Sequence, residues 1–259
     1  MAIKYTKAPV SEITFGVFFK TNALIRRAII FEVITKLNSQ YPILQTANAP
    51  QIEEIQNENI STTQDVGKTG HSTYWLSSSD FIYKIDINQI SLNFTWQRRD
   101  DMPSVSVYPG FSTVYEMFKS IFKTIVDISA NKGVDLIKEI RLFSLKYSDR
   151  LSLKPYIEMG VSLPDIIKVN YPPIVMADNS FVSNNYLAKY SIQLPYLNGY
   201  SIVNVNTPTY PSPIGQSLLV DNRIKGYSED MDMWFEKSHQ TQLSFFENFF
   251  TERILNDWK

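Results

Sequence analysis

Cysteine is absent from this 259-residue chain, and histidine is scarce, with only His71 and His239. Without thiols there can be no disulfides, thiolate metal sites or cysteine nucleophiles. The two histidines also lack the i, i+4 spacing that pairs metal ligands on a helix. The sequence therefore predicts no metal site, no cofactor and no cofactor-binding residue.

Excess charge and long apolar runs are also missing. The 25 basic and 26 acidic residues give a net charge of −1, whereas nucleic-acid binders usually carry a basic excess, so nucleic acid is disfavoured as a partner. The most apolar stretch, 28–34, is interrupted by Glu32 and is too short to span a bilayer, and the N-terminus lacks the apolar core of a signal peptide. We expect no membrane association and a cytoplasmic location.

Aromatic residues are abundant, with 16 Phe, 15 Tyr and 4 Trp, and 44% of the chain is hydrophobic. Such rings bury much area and favour half-buried strands. The alternation and helical spacing of apolar residues predict strands over 13–19, 72–76, 81–88, 90–97 and 140–145. They also predict a helix over 23–37 capped by Asn22, and a helix over 113–131 that begins at a capping box at Thr113 and stops at Gly133.

The second half of the chain shows a similar outline. Strands are predicted over 191–197, 200–205 and 216–222, and Asp230 or Asp232 is predicted to cap a final helix to about Trp258. The proline-bearing segment 147–180 reads as a linker. The predicted fold class is α+β, with two similar halves, 1–150 and 151–259, each an antiparallel sheet packed against a long helix. Strands and helices do not alternate strictly, so a parallel sheet is not expected.

An ordered set of short features runs along the whole chain. It comprises 8–13 (Ala-Pro-Val-Ser-Glu-Ile), Trp75 with Ser79-Asp80, Trp96, Tyr108-Pro109 with Phe111, 218–221 (Leu-Leu-Val-Asp), His239, and Phe246 with Phe249. This set resembles a sporadically distributed bacterial family of about 260-residue proteins of uncharacterised function. Tyr147-Ser148-Asp149-Arg150 departs from the Tyr/Arg-x-Asn-type turn expected there. Patchy distribution is typical of defence-associated and mobile-element genes, so the resemblance implies a defence or toxin–antitoxin context.

The motifs that suggest catalysis are incomplete. Gly67-Lys68-Thr69 has Thr62 where a phosphate-binding loop needs its first glycine. Acidic pairs occur at 53–54, at 100–101 and at 229–232, and the last group is explained by its position at a helix start. The basic pair 98–99 near Trp96 is neutralised by the acids that follow it. No Gly-x-Ser-x-Gly nucleophile elbow is present.

These observations favour a non-catalytic protein-interaction module whose partner is another protein, encoded nearby, or a second copy of the chain. The alternative is a sensor of a small molecule or nucleotide signal with a pocket between sheet and helix. A hydrolase would require His239, Asp221 and Glu236 to meet in space. No catalytic residue is assigned, and His239, Asp221 and Trp96 are the residues predicted to have a functional or structural role.

Overall fold

The computed structural model describes residues 9–20, 27–48, 72–103, 107–161, 165–168, 187–206 and 217–259. The Gly-Lys-Thr segment, His71, the acidic pair 53–54 and the predicted cap Asn22 lie outside these residues. Within them, five α-helices accompany a large antiparallel sheet of nine strands, so the predicted α+β class is confirmed.

The strands are β1 (Val10–Phe19), β2 (Ile43–Asn48), β3 (Ser72–Ser77), β4 (Tyr83–Ile87), β5 (Ser91–Gln97), β6 (Ile140–Ser152), β7 (Leu187–Leu194), β8 (Gly199–Asn206) and β9 (Ser217–Gly226). The helices are α1 (Arg27–Leu37), α2 (Phe111–Asn131), α3 (Lys154–Glu158), α4 (Met231–Phe249) and α5 (Glu252–Asp257). Hydrogen-bonded neighbours follow the order β2-β3-β4-β5-β1-β6-β9-β8-β7.

The chain forms two compact units, each assembled from separate segments. One, called here the His239 unit, comprises Met1–Thr14, Gln97–Phe111 and Leu142–Lys259. The other, the Trp96 unit, comprises Phe15–Trp96 and Ser112–Arg141. The division of the chain at residue 150 stays a prediction.

In the Trp96 unit, the predicted hairpin is confirmed. β4 and β5 pair antiparallel, with Ile85 opposite Phe94 and Ile87 opposite Leu92, all four buried. Alternation thus puts every second side chain into the core. β4 begins at Tyr83 rather than at residue 81, because Phe81 adopts a positive φ of 58° in the turn before the strand.

The helix ends differ in how well the sequence predicted them. The capping box at Thr113 is wrong, since α2 already begins at Phe111, directly after Gly110 with its φ of 91°. The predicted stop at Gly133 is confirmed, because this residue has the φ of 74° that closes many helices. α1 ends at Leu37 as predicted, and its predicted start lies outside the described residues.

In the His239 unit, β6 is much longer than predicted. It continues to Ser152 and pairs with β9 from Phe143 to that residue, so the linker prediction is wrong for 147–152. Tyr147, Asp149 and Leu151 are all buried, which continues the strand alternation through the predicted linker. β9 likewise extends to Gly226, beyond the predicted end at 222.

The predicted single C-terminal helix is two helices. Phe250 is extended, with φ −87° and ψ 150°, and forms an antiparallel bridge with Ile167. Lys168 N–H donates to Phe249 O, and Thr251 N–H donates to Ile166 O. Thr251 thus bonds to Ile166 instead of to the preceding helical turn, so α4 ends at Phe249 and α5 starts at Glu252 after two extended residues.

The core of the His239 unit is largely aromatic at its C-terminal end. Phe249, Phe250 and Ile254 are almost fully buried against strand residues such as Val205 and Leu218. Helices in the described ranges are all too short or too polar to cross a membrane.

Candidate functional site

His239 is positioned by α4, whose start is fixed by a capping residue. Asp230 is extended and its carboxylate accepts a hydrogen bond from the N–H of Met233 at 2.9 Å, which confirms one of the two predicted caps. Nine residues after this cap, His239 lies next to β6. The helix is anchored further along by Gln242, whose amide donates to the backbone oxygen of Asn222 at 2.9 Å.

Two tyrosines and His239 form a chain of polar contacts, called here the Tyr–His chain. The Tyr147 hydroxyl lies 2.9 Å from His239 Nδ1, and the Tyr108 hydroxyl lies 3.3 Å from that of Tyr147. Phe111 stacks on the imidazole with 4.0 Å between ring centroids and an angle of 1° between planes. The imidazole is therefore held both at its edge and on its face.

Burial keeps the Tyr–His chain uncharged. Desolvation lowers the pKa of His239 from 6.5 to about 4, although the nearby Glu236 carboxylate acts in the opposite direction. Desolvation also raises the pKa of both Tyr108 and Tyr147 well above 10. At neutral pH each member of the Tyr–His chain is therefore neutral.

Asp149 is a buried acid on β6, within the Tyr147–Arg150 segment. It follows Tyr147 on the same face of β6, and its Oδ1 is buried with no hydrogen-bond partner among the described residues. Desolvation, and then the charge of Asp221, raise its pKa to about 7. From the sequence, the burial of this acid could have been inferred only from strand alternation, because residue 149 lies two positions from both Tyr147 and Leu151 and therefore on the same strand face.

Asp221 belongs to a different network. It pairs with Ser148 across β6 and β9 and accepts a hydrogen bond from the Ser148 hydroxyl. Lys146 Nζ lies 3.8 Å from Asp221 Oδ1 and 2.9 Å from Glu12 Oε1. This network is called here the Lys146 network.

The Lys146 network lies on the sheet face opposite the Tyr–His chain. Successive strand residues point to opposite faces, and Tyr147 reaches His239 while Ser148 reaches Asp221. The hypothesis that His239, Asp221 and Glu236 meet in one acid–base cluster is therefore wrong. In the part of the chain that the structure describes, no group of three His, Cys, Asp or Glu side chains could hold a metal ion.

Trp96 occupies a core position in the Trp96 unit. It is 1% exposed and stands opposite Tyr83 in the β4–β5 hairpin. Its burial gives it a packing role, and the ring is not available to stack on a ligand.

A surface cavity in the His239 unit was not anticipated from the sequence. It has a volume of about 120 Å³ and is called here the aromatic cavity. Its lining consists of Pro195, Tyr196, Leu197, Asn198, Tyr227, Ser228, Met233, Trp234 and Lys237. Three of these are among the large hydrophobic side chains left in solvent: Tyr196 is 60% exposed, Met233 45% and Tyr227 38%.

The walls of the aromatic cavity are fixed by backbone geometry. The Trp234 indole N–H donates to the carbonyl oxygen of Leu197 at 3.2 Å, which ties the 195–197 turn to α4. Asn198 closes this turn in the left-handed region, with φ 46° and ψ 51°. Gly226 allows the close approach, because a Cβ there would lie 2.5 Å from Leu197 O.

The exposed Tyr196 is held in place as well, since its hydroxyl lies 3.0 Å from Thr241 Oγ1. Sequence reasoning could not find this cavity, because its two walls are about 30 residues apart along the chain.

No protein-family model matches this chain, and no curated protein shows a significant match to it.

Proposed function

We propose that this chain is a non-catalytic protein-interaction module that contacts its partner through the aromatic cavity. The observation that carries the proposal is the exposure of Tyr196, Tyr227 and Met233 around one structured concavity. Tyrosine, tryptophan and methionine are enriched in the cores of protein interfaces, where a few anchors in a pocket provide most of the binding energy.

The size of the cavity supports a protein partner over a small molecule. Pockets for small ligands usually measure about 300–1,000 Å³. A volume of about 120 Å³ suits a single large side chain that inserts from another protein. The sensor alternative would need a larger pocket between sheet and helix, and a thermal-shift screen of nucleotides and metabolites tests it.

The chemistry of the polar groups supports a role without catalysis. The Tyr–His chain is neutral at neutral pH, and Asp221 lies on the other face of the sheet from His239. Asp149 has an elevated pKa but no hydrogen-bond contact to a base or nucleophile among the described residues. The geometry needed for acid–base catalysis, with groups converging on one substrate position, is not supported by these contacts.

Affinity capture with matched variants tests the proposal. Tagged wild-type chain, Tyr196→Ala, and the control Met159→Ala are incubated with lysate of the native host, and bound proteins are quantified by mass spectrometry. Met159 is 62% exposed and lies outside the cavity lining, so it controls for the loss of an exposed apolar side chain. We expect a protein that is retained by wild type and Met159→Ala and is reduced about tenfold or more by Tyr196→Ala.

The proposal fails if every captured protein is recovered equally with the two variants. Circular dichroism of both variants must match the wild type, which we expect because the replaced side chains are largely in solvent.

We also propose that the chain has two similar halves, 1–150 and 151–259. In support, each half contains antiparallel strands and one long helix, the 21-residue α2 in the first half and the 19-residue α4 in the second. The bacterial family, the cytoplasmic location and a partner encoded nearby, in a defence or toxin–antitoxin context, remain proposals that rest on the sequence features. The genes adjacent to this one provide the direct test of that context.

A further inference from the structure

Asp149 is a buried carboxyl group without a compensating partner in the described part of the chain. It is 6% exposed, and its Oδ1 atom has no hydrogen bond there. The charge that acts on it is that of Asp221, which is also negative. A buried carboxylate that lacks hydrogen bonds and a positive neighbour is much less stable than the neutral acid. The folded chain therefore favours the protonated form of Asp149, and ionisation requires water to reach this side chain.

The titratable groups connected to Asp149 by contact or by charge come from four parts of the chain. They are Tyr147 on β6, Tyr108 in the segment 107–110, His239 and Glu236 on α4, and Asp221 on β9. Burial is the main cause that raises the pKa of both tyrosines, and the charge of Asp149 is a further one, so its carboxyl group lies near their hydroxyls. Within this described set, no group supplies a positive charge at neutral pH that could stabilise the Asp149 carboxylate.

The segment 107–110 is the least secured element of this cluster. β6 pairs with β9 over ten residues, and α4 is a 19-residue helix. By contrast, 107–110 is neither helix nor strand, and Val107 at its start is 65% exposed. The Tyr108 hydroxyl lies 3.3 Å from that of Tyr147, which is longer than a usual hydrogen bond between hydroxyls. Local opening begins where the fewest contacts hold the chain, so water reaches Asp149 most easily by displacement of this segment.

We propose that Asp149 and the segment 107–110 form a proton-controlled switch, in which the segment covers the neutral acid and opens when the acid ionises. Opening hydrates the carboxylate and exposes the Tyr147 hydroxyl. Gly110, with its φ of 91°, ends the segment and gives the backbone a pivot. Phe111 already belongs to α2 and keeps its ring on His239, 4.0 Å away, so the imidazole stays buried during opening. The switch is independent of the proposed protein-binding function.

The pH range of the switch follows from the pKa of Asp149 in the two states. Desolvation, and then the charge of Asp221, raise this pKa from 3.8 to about 7 in the closed state, and hydration returns it towards 3.8 in the open state. The closed state therefore has its full advantage below about pH 4 and loses it as pH rises to 7. Over this range the equilibrium constant for opening rises about tenfold per pH unit, and it levels off above pH 7.

Acetylation of tyrosine hydroxyls by N-acetylimidazole, located by peptide mass spectrometry on the full chain, tests the inference. The rate at Tyr147 is divided by the rate at Tyr196, which is 60% exposed and reacts without opening, so the intrinsic pH dependence of the reaction cancels. In wild type this ratio should rise about tenfold from pH 6 to pH 8. The ratio for Tyr41, which is 4% exposed in the Trp96 unit, should stay constant and shows that the chain does not open globally.

Two variants assign the change to the acid and to its cover. Asp149→Asn cannot ionise, so its Tyr147 ratio should stay at the low value from pH 6 to pH 8. Tyr108→Ala removes the cover, so its Tyr147 ratio should already be about tenfold above wild type at pH 6. The inference is overturned if the wild-type ratio does not rise, if Asp149→Asn shows the same rise, if Tyr41 rises in parallel, or if Tyr108→Ala labels Tyr147 no faster than wild type at pH 6.

Discussion

Replacing Asp149 by Asn should reveal a pH dependence of stability that the wild-type chain largely conceals. The pKa of Asp149 is raised from 3.8 to about 7 in the folded chain, so the native state retains this proton after the unfolded state has lost it. The corresponding stability is fully present below about pH 4 and is lost as pH rises towards 7. Because one pKa unit corresponds to about 1.4 kcal/mol, the loss is about 4 kcal/mol.

His239 contributes with the opposite sign. Its pKa is lowered from 6.5 to about 4, so the unfolded state binds a proton before the folded state does. This contribution is fully present above pH 6.5 and is lost as pH falls towards 4, by about 3 kcal/mol. Both groups therefore act between about pH 4 and 6.5, and their effects on the free energy of unfolding nearly cancel there.

Single variants should separate the two contributions. In Asp149→Asn, stability should rise by about 3 kcal/mol from pH 4 to 6.5, since only His239 remains. In His239→Gln, stability should fall by about 4 kcal/mol from pH 4 to 7, since only Asp149 remains. Urea unfolding followed by circular dichroism at half-unit pH intervals and constant ionic strength gives each curve.

The comparison is made as a difference from wild type, which removes titrations common to all variants. If Asp149→Asn runs parallel to wild type from pH 4 to 7, Asp149 titrates normally and the reasoning from its burial is refuted.

Two further predictions concern stability. Trp96→Ala should lower the free energy of unfolding by about 3–5 kcal/mol, because the ring is 1% exposed and its removal leaves a cavity. Urea denaturation measures this loss, and a loss below about 1 kcal/mol would contradict the core position of Trp96. Asp230→Ala should lower the free energy of unfolding by about 1 kcal/mol, because it removes the hydrogen bond from Met233 N–H. Asp230→Asn should lower it less, because Asn can also cap a helix; equal losses in the two variants would argue against capping.

Local patterns predicted the parts of the fold in which neighbours in sequence are neighbours in space. The β4–β5 hairpin followed from alternation, since Ile85 and Phe94 pair within about ten residues. The cap at Asp230 and the stop at Gly133 followed from side-chain and backbone preferences of single residues. These features depend on local chemistry, which the sequence carries directly.

Features set by distant contacts were missed. The apolar spacing continues from Phe246 through Phe250 to Ile254, so nothing local marks the end of α4; the break comes from pairing with Ile167. The full length of β6 was not predicted, because Asp149 is an acid on the core side of the strand, where an apolar residue is expected. The candidate site shares this limitation, because the sequence could mark His239 as a residue with a functional or structural role, but its partner Tyr147 could be identified only from the fold.

The two-sided chemistry of β6 restricts how this gene can diverge. Tyr147 and Asp149 point to the sheet face that carries α4, whereas Lys146 and Ser148 point to the opposite face, where they contact Glu12 and Asp221. Inserting or deleting one codon within this strand would exchange the two sets and bury Lys146 against α4. Homologous genes should therefore vary here by substitution and accept length changes only outside the strand, so an alignment with a gap between Tyr147 and Arg150 would be misaligned.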